Sequence, residues 1–471
     1  MASLFQFVDS IATSPTVRLD LNSAASGLKV AAEGVDFSPP PLRRAGSSSM
    51  QTEGENVTAA VAGNRTLKLP IVVRAATATL AATALGSLAL ELARSRNILR
   101  VQLAGMTAPV FFRTYAAPDY TLGTLRQLLK ANAAVMLEII AEPYALGLSE
   151  VLGPFTVNND PANGTNGCYV DVTGVDGDVE TPIRLELSGG GTNMSPVLAV
   201  RRHRTPPNVT PFVQAESMTQ GTDTTTGSDS LMSNGSRSRC TFATVATMAT
   251  RLTGTFPSGG TASVDRRGLY RIFLMCASSA GSTVYAVRMK VDSAVGSTTL
   301  LTGDTVTYTA TDTSRRLLDL GLLQIPLGQD PVNDGYGPER PISPMSVQFQ
   351  AQRVSGTASL DLDFAAMAYA DEEQLQMGTV FTGAGTYDMV LDGTSGRAWV
   401  PVVTTGDIHA YGSPSVPSAG FVPRLTPGQT NRLMILRPDG VGTGYVRGPD
   451  TKTRTTAVRI TYWPRYLTVA P

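Results

Sequence analysis

Histidine is almost missing from this sequence. His203 and His409 are the only two in 471 residues, and both sit beside polar, loop-type segments. No H-E-x-x-H, G-x-x-x-x-G-K-[ST] or G-x-S-x-G occurs, so a zincin helix, a phosphate loop and a nucleophile elbow have no carrier. The run Gly440–Gly444 is glycine-rich, but nothing helical follows it, so it reads as a hairpin tip and not as a phosphate cradle. Cysteine is scarce as well. Cys168, Cys240 and Cys276 form no C-x-x-C pair, and an odd number cannot all pair within one chain. That argues against a disulfide framework or zinc ribbon and for small buried thiols in a reducing compartment. A glycosidase needs two carboxylates facing each other across a cleft, and the pattern pairs no such two. Hence no catalytic, cofactor-binding or metal-binding residue is assigned, and an enzyme is not expected.

Charge is also low. Charged residues make up 16%, and Lys+Arg and Asp+Glu are 38 each, so no global basic field gathers nucleic acid. A chain without net charge is prone to self-association, which suits a subunit of an assembly. No apolar stretch reaches the ~20 residues of a membrane span, so membrane insertion is not expected. The opening MASLFQFVDSIATSP lacks a basic stretch and carries Asp9 in its apolar part, unlike a secretory leader.

Glycine (45) and proline (30) are abundant, and the hydrophobic fraction is 42%. With threonine, serine, valine and alanine dominating the later two thirds, this composition predicts turn-rich β-structure, not bundles or disorder. At ~100–200 residues per domain, the length predicts about three domains.

The most structured stretch runs from Arg65 to Leu148. RTLKLPIVVRA reads as a strand. Leu85, Leu88 and Leu92 then share one face of a predicted helix over 80–96, with Glu91, Arg94 and Arg96 off that face. NILRVQL and PVFFRTY, bounded by Gly105 and Pro109, predict a hairpin. Leu122, Leu125, Leu128 and Leu129 predict a second helix, and AVMLEIIA a closing strand. The pattern alone fits a ferredoxin-like split βαβ domain as well as a split barrel.

The order of elements, with NILRVQL, PVFFRTY and AVMLEIIAEPYALG, resembles the N-terminal domain of distal tail proteins (minor tail proteins) of long-tailed, siphovirus-type phages, nearest to those infecting actinobacteria. The resemblance implies a split barrel with a flanking helix. Its copies form a ring, usually of six, that continues the tail tube into the tail tip. It also implies a structural role in the virion, assembly in the host cytoplasm, and contacts with tail tube protein and with a tail-tip hub or tail-associated protein.

The remaining chain supplies expectations to test. Val17, Leu19 and Leu21 alternate with polar residues as a strand, and 27–37 predicts a second, stopped by Pro39–Pro41. Residues 43–64 are small and polar and predict a long loop, either a surface loop or an arm reaching a neighbour. Residues 151–204 and 371–471 share short strands between breakers. Their ends, with Pro427-Gly428 turning into Asn431 and a final alternating Val458–Trp463, resemble the second, sandwich-type domain of the same tail family. One discontinuous β-sandwich is therefore expected from 151–204 plus 371–471, after a ring domain at 1–150.

Residues 205–370 are expected as an inserted β-sandwich entered through the proline-rich 205–211. Predicted strands there include 240–243, 248–253, 270–276, 284–291, 317–325, 346–354 and 358–369. VQAES, YRIFLMC and SLDLDFAAMAYADEE resemble jelly-roll carbohydrate-binding modules. In some of these, matching carboxylates, here Glu216 with Asp361 or Asp363, hold a structural calcium. The plainer reading puts Asp361 and Asp363 on a solvent face. Tyr270, Tyr285 and Phe273 read as core, and the module has no tryptophan to serve as a sugar platform. The expected fold class is therefore mainly β with a mixed α/β N-terminal domain: a split-barrel, tail-tube-like domain followed by β-sandwich (jelly-roll) domains. Two functions compete: a tail-tip ring subunit whose inserted module touches host surface carbohydrate, and a non-viral carbohydrate-binding protein accessory to a cell-wall-active enzyme.

Overall fold

The computed structural model describes residues 3–31, 33–47, 56–116, 121–122, 132–158, 160–161, 167–188, 193–194, 198–201, 209–210, 212–244, 246–255, 258–259, 268–292, 299–325, 346–369, 375–377, 381–382, 389–399, 423–436 and 455–469. The protein is mainly β, with antiparallel sheets and one α-helix among the described residues.

The first sheet is built from β1 (Leu4–Val8), β2 (Val17–Asp20), β3 (Leu28–Val30), β6 (Arg65–Arg74), β7 (Arg96–Gln102), β8 (Val110–Tyr115), β9 (Thr121–Leu122), β10 (Asn132–Ala141) and β11 (Ala145–Leu146). Between β3 and β6 lie β4 (Leu42–Ser47) and β5 (Asn56–Ala62). The strand order is β2-β1-β7-β8-β10-β6-β3. β6 alternates as its sequence dictates: Leu67, Leu69, Ile71 and Val73 are buried, while Thr66 and Lys68 are exposed. Helix α1 (Ala78–Leu92) starts where the Thr77 hydroxyl accepts from the Leu80 N–H at 3.2 Å. At its end, the Glu91 carbonyl accepts from the Arg94 N–H at 3.2 Å and from Asn97 Nδ2 at 3.0 Å. Ala81, Ala84, Leu88 and Leu92 bury against the sheet, with Leu85 half-buried.

Several expectations change. The predicted loop 43–64 contains a β-hairpin, β4 against β5, since runs with Val and Thr among small residues can pair as a ladder without a strong apolar alternation to announce them. The second predicted helix begins on a strand, with Leu122 opposite Val135, and its remaining leucines lie outside the described residues. The predicted strand 27–37 shrinks to β3, since Gly34 takes φ +86° and turns the chain, with one further bridge from Asp36 to Lys68. Glu91 is buried, although its position was read as off the apolar face. His203, His409 and Gly440–Gly444 lie outside the described residues.

Beyond β11 come β12 (Glu150–Val157), β13 (Tyr169–Val172), β14 (Thr181–Ser188), β15 (Asn193–Met194) and β16 (Leu198–Arg201). Their partners come from the far end of the chain. Thr456–Tyr462 lies between β12 and β14, and Met389–Asp392 flanks β14 on its other side. Asn431–Leu436 lies between β13 and β16, and Leu375–Met377 pairs with β16. One core joins both sheets: Val170, Val172, Leu433 and Ile435 meet Ile183, Leu185, Val458 and Ile460. Arg465–Tyr466 then pairs with β11, returning the chain to the first sheet, whose core takes in Val469.

Among the described residues, the strands from 209 to 369 pair only with one another. Two six-stranded sheets form, one around Leu360–Tyr369 and Gly268–Ser278, the other around Ser346–Ser355 and Thr283–Asp292. Tyr285, Val287, Met289 and Val291 alternate inward to meet Tyr270, Ile272, Leu274 and Cys276 across the core. The strand expected at 240–243 lies earlier, at Ser236–Cys240, because Phe242 at φ +54° leaves the ladder. Val209–Thr210, expected within a hinge, pairs with Ser258–Gly259.

Candidate functional site

The three carboxylates singled out as calcium candidates are drawn into different contacts. Asp361 accepts two hydrogen bonds from Arg239, Nε at 2.7 Å and Nη2 at 2.8 Å. Asp363 pairs with Arg315 and accepts from the Ser233 N–H at 2.8 Å. Glu216 accepts from Asn234 Nδ2 at 3.0 Å. Neither aspartate lies on a solvent face, since Asp361 is 4% exposed and Asp363 0%. A bulge takes Asp363 out of the alternation, since Met275 pairs with Phe364 but Cys276 with Leu362, while Asp361, ahead of the bulge and in register with Ala277, is engaged by Arg239 and Arg237. Among the described residues no group of three or more His, Cys, Asp or Glu is placed to hold a metal. Burial pushes the Asp363 carboxyl up to about 7 against the pull of Arg315. Ser233 Oγ also donates to Asp160 at 2.7 Å, so this polar knot ties the segment after β12 to the sandwich.

The cysteines are unsuited to nucleophilic work. All three are buried and free, and desolvation raises each thiol, Cys240 to about 12. Tyr270, Tyr285 and Phe273 are buried core, which removes them as exposed sugar platforms. The outer face of the second sandwich sheet carries a polar row instead. Thr250, Gln350 and Arg288 lie opposite one another on three strands. Arg288 Nε donates to Gln350 at 2.8 Å, Gln350 Nε2 to Thr250 at 3.2 Å, and Thr250 Oγ1 to Gln348 at 2.6 Å.

The most distinctive surface element is the β4–β5 hairpin. It forms a two-stranded sheet of its own, closed at its base by the Gly63 N–H to the Pro41 carbonyl at 2.7 Å. Leu42 and Val61, near that base, are 59% and 64% exposed, and Arg43 and Arg44 beside them are exposed too. Its root is rigid. Arg65, 1% exposed, stacks over Phe112 at 5.2 Å, and Nη1 donates to the Leu467 carbonyl at 3.1 Å. Arg65 Nη2 donates to the Phe37 and Ser38 carbonyls. Desolvation lowers its pKa, and these carbonyls replace the lost water. The sequence reading missed Arg65 as an anchor. Its signal was there: it is in phase with Leu67, Leu69, Ile71 and Val73, so an alternating strand must bury it.

No family model and no curated protein sequence matches the chain. Among solved structures, the chain is similar to the Dit protein of phage SPP1, described as a paradigm of the hub adsorption apparatus in phages infecting Gram-positive bacteria. That match has 10% identity, covers 99% of each chain and has a TM-score of 0.33. Chains of the phage P2 baseplate in its activated conformation match with calcium (TM-score 0.24) and with strontium (0.25). Both are at 11% identity over 79% of this chain and 99% of theirs. These scores are too low to carry function, which is read from the chain's own elements.

Proposed function

We propose that the chain is a structural, non-enzymatic subunit of a phage tail tip, forming a ring that joins the tail tube to the receptor-binding apparatus. In this reading residues 1–150 build the ring. Residues 151–204 with 371–471 form a discontinuous sandwich, and 205–370 an inserted jelly-roll that faces outward. The observation that carries the reading is the β4–β5 hairpin: a self-paired ladder on a rigid root, with exposed Leu42 and Val61 at its base. Such an element gains contacts only from a neighbour, and a closed ring needs one surface of each copy to meet a different surface of the next. The sequence resemblance supplies the neighbour's kind, the next copy or the tail tube, and a six-fold count. The Thr250–Gln350–Arg288 row supports an outward contact with host surface glycans, because fixed amide and guanidinium groups match sugar hydroxyls.

Electron microscopy of the full-length protein tests this, alongside a bacterial-glycan array. Closed rings, and the protein's presence at the tail end of virions, are expected. A monomer that binds glycans and is absent from virions would replace the reading with that of an accessory carbohydrate-binding protein.

A further inference from the structure

Two adjoining hollows open at the strand ends of the first sheet. The larger, of about 340 Å³, lies where β1, β8 and β10 end and β2 and β7 begin. It is lined by three guanidiniums, Arg18, Arg96 and Arg113. Arg18 is built in: Nη2 donates to Asn97 Oδ1, and Nε lies 3.3 Å from Glu91, itself held by Asn97 Nδ2 at 3.0 Å. Glu91 and Asn97 are both buried, so Arg18 is fixed from behind. Arg96 is exposed and, among the described residues, has no carboxylate within ion-pairing distance.

The acids that line the same hollow are partly engaged. Asp9 accepts from Ser10 Oγ and the Thr16 N–H, both at 2.9 Å, and Glu142 lies 3.8 Å from Arg113. Arg113 and Glu142 also line the second hollow, of about 160 Å³, whose walls include Tyr144, Leu146, Pro182 and Trp463. The Arg465 guanidinium stacks over Tyr144 at 5.3 Å and holds that wall. One groove thus has an arginine-rich end and an end where aromatic and apolar side chains stand among polar ones.

We propose that this groove docks an extended acidic peptide segment of a neighbouring protein, a carboxylate entering among Arg18, Arg96 and Arg113 and an apolar side chain seating against Tyr144 and Trp463. Arginine forks match carboxylates bidentately, and the adjoining apolar hollow separates a peptide from a simple anion. That the neighbour is a tail component rests on the tail-tip reading; the peptide chemistry does not.

Trp463 is a built-in reporter once Trp399, the other of two tryptophans, is replaced by Phe. The full-length W399F protein is titrated with N-acetylated, C-amidated, tryptophan-free peptides carrying Asp or Glu two residues before Leu or Phe. Their Asn and Gln counterparts, acetate and inorganic phosphate are run in parallel. A saturable change in Trp463 emission is expected with the acidic peptides, weakening as salt is raised. R96Q or R113Q, with unchanged circular dichroism, weakens binding by about tenfold, as does Asp→Asn in the peptide. If either variant misfolds, the salt dependence and the peptide substitution decide on the parent protein. An equal response to acetate or phosphate alone reduces the site to an anion hole and overturns the proposal, as does silence with every acidic peptide. Ring formation in the microscope is independent of this titration, so the two readings fail separately.

Discussion

Glu91 shows how one charged residue organises a neighbourhood. It sits one position before Leu92 on α1 and is 7% exposed, yet it is saturated with donors. Arg94 Nε donates at 2.9 Å, Asn97 Nδ2 at 3.0 Å, and Arg18 Nε lies 3.3 Å away. It thereby ties the helix end to β2 and β7. The two guanidiniums are 25% and 51% exposed in their side chains, so water screens part of the pairing. Glu91→Ala should cost about 2 kcal/mol, and Glu91→Gln, which keeps the shape and the Asn97 bond, about half that. Urea titration followed by far-ultraviolet dichroism measures both. Equal midpoints for all three proteins would show that these donors add nothing to stability, and a loss shared equally by Ala and Gln would show that the charge alone matters. Arg65 follows the same logic: its guanidinium replaces water with carbonyls of the segments around Phe37 and Leu467.

At the scale of elements, legibility in the sequence followed periodicity. β6, α1 and the β7–β8 hairpin stood out because apolar residues repeat at the period of one structure and bury one face. The β4–β5 hairpin did not, because its sequence, rich in Ala, Gly, Ser and Thr with only scattered Leu42, Val57 and Val61, repeats no apolar face at the strand period. Asp363 was misplaced for another reason, since a bulge shifts alternation by one residue and no side chain announces it. Of the candidate surfaces, the hairpin's segment was visible as a possible arm, while its ladder, its Arg65 root and the arginine groove depend on long-range placement. The hairpin offers a clean test. Removing residues 46–58 and joining Ala45 to Ala59 through Asn-Gly keeps the pairs from Leu42↔Ala62 to Ala45↔Ala59. Stability should change by about 0.5 kcal/mol or less, as for surface changes elsewhere. Ring formation or attachment to tails should fail. Rings of normal appearance on tails from the shortened protein would remove the arm from the assembly.

For the whole molecule the informative fact is where the chain leaves and re-enters its second pair of sheets. β16 and Leu375–Met377 are hydrogen-bonded neighbours, Val200 opposite Leu375, although 174 intervening residues separate them (375 − 200 − 1). Among the described residues, all the sheet partners of strands between 209 and 369 lie inside that interval. An inserted unit whose ends meet at one ladder costs the host little loop entropy and can be cut out at that ladder. Residues 205–370 expressed alone should unfold cooperatively. The remainder, with Arg201 joined to Gln374 through Asn-Gly, should do the same. Both should be less stable than within the parent, because excision exposes a shared apolar cluster. Cys168 and Met434 on one side pack with Phe212, Phe273, Met275 and Phe364 on the other. Each large side chain re-exposed costs roughly 1.5–3 kcal/mol at most, so losses of a few kcal/mol are expected, not collapse. The Asp160–Ser233 bond is lost in the same cut. Calorimetry of the three proteins decides. Two separate cooperative transitions at lowered temperatures support the inserted arrangement. If neither piece folds while the parent does, the shared cluster and its polar knot make a single cooperative unit, and the division into host and insert is wrong.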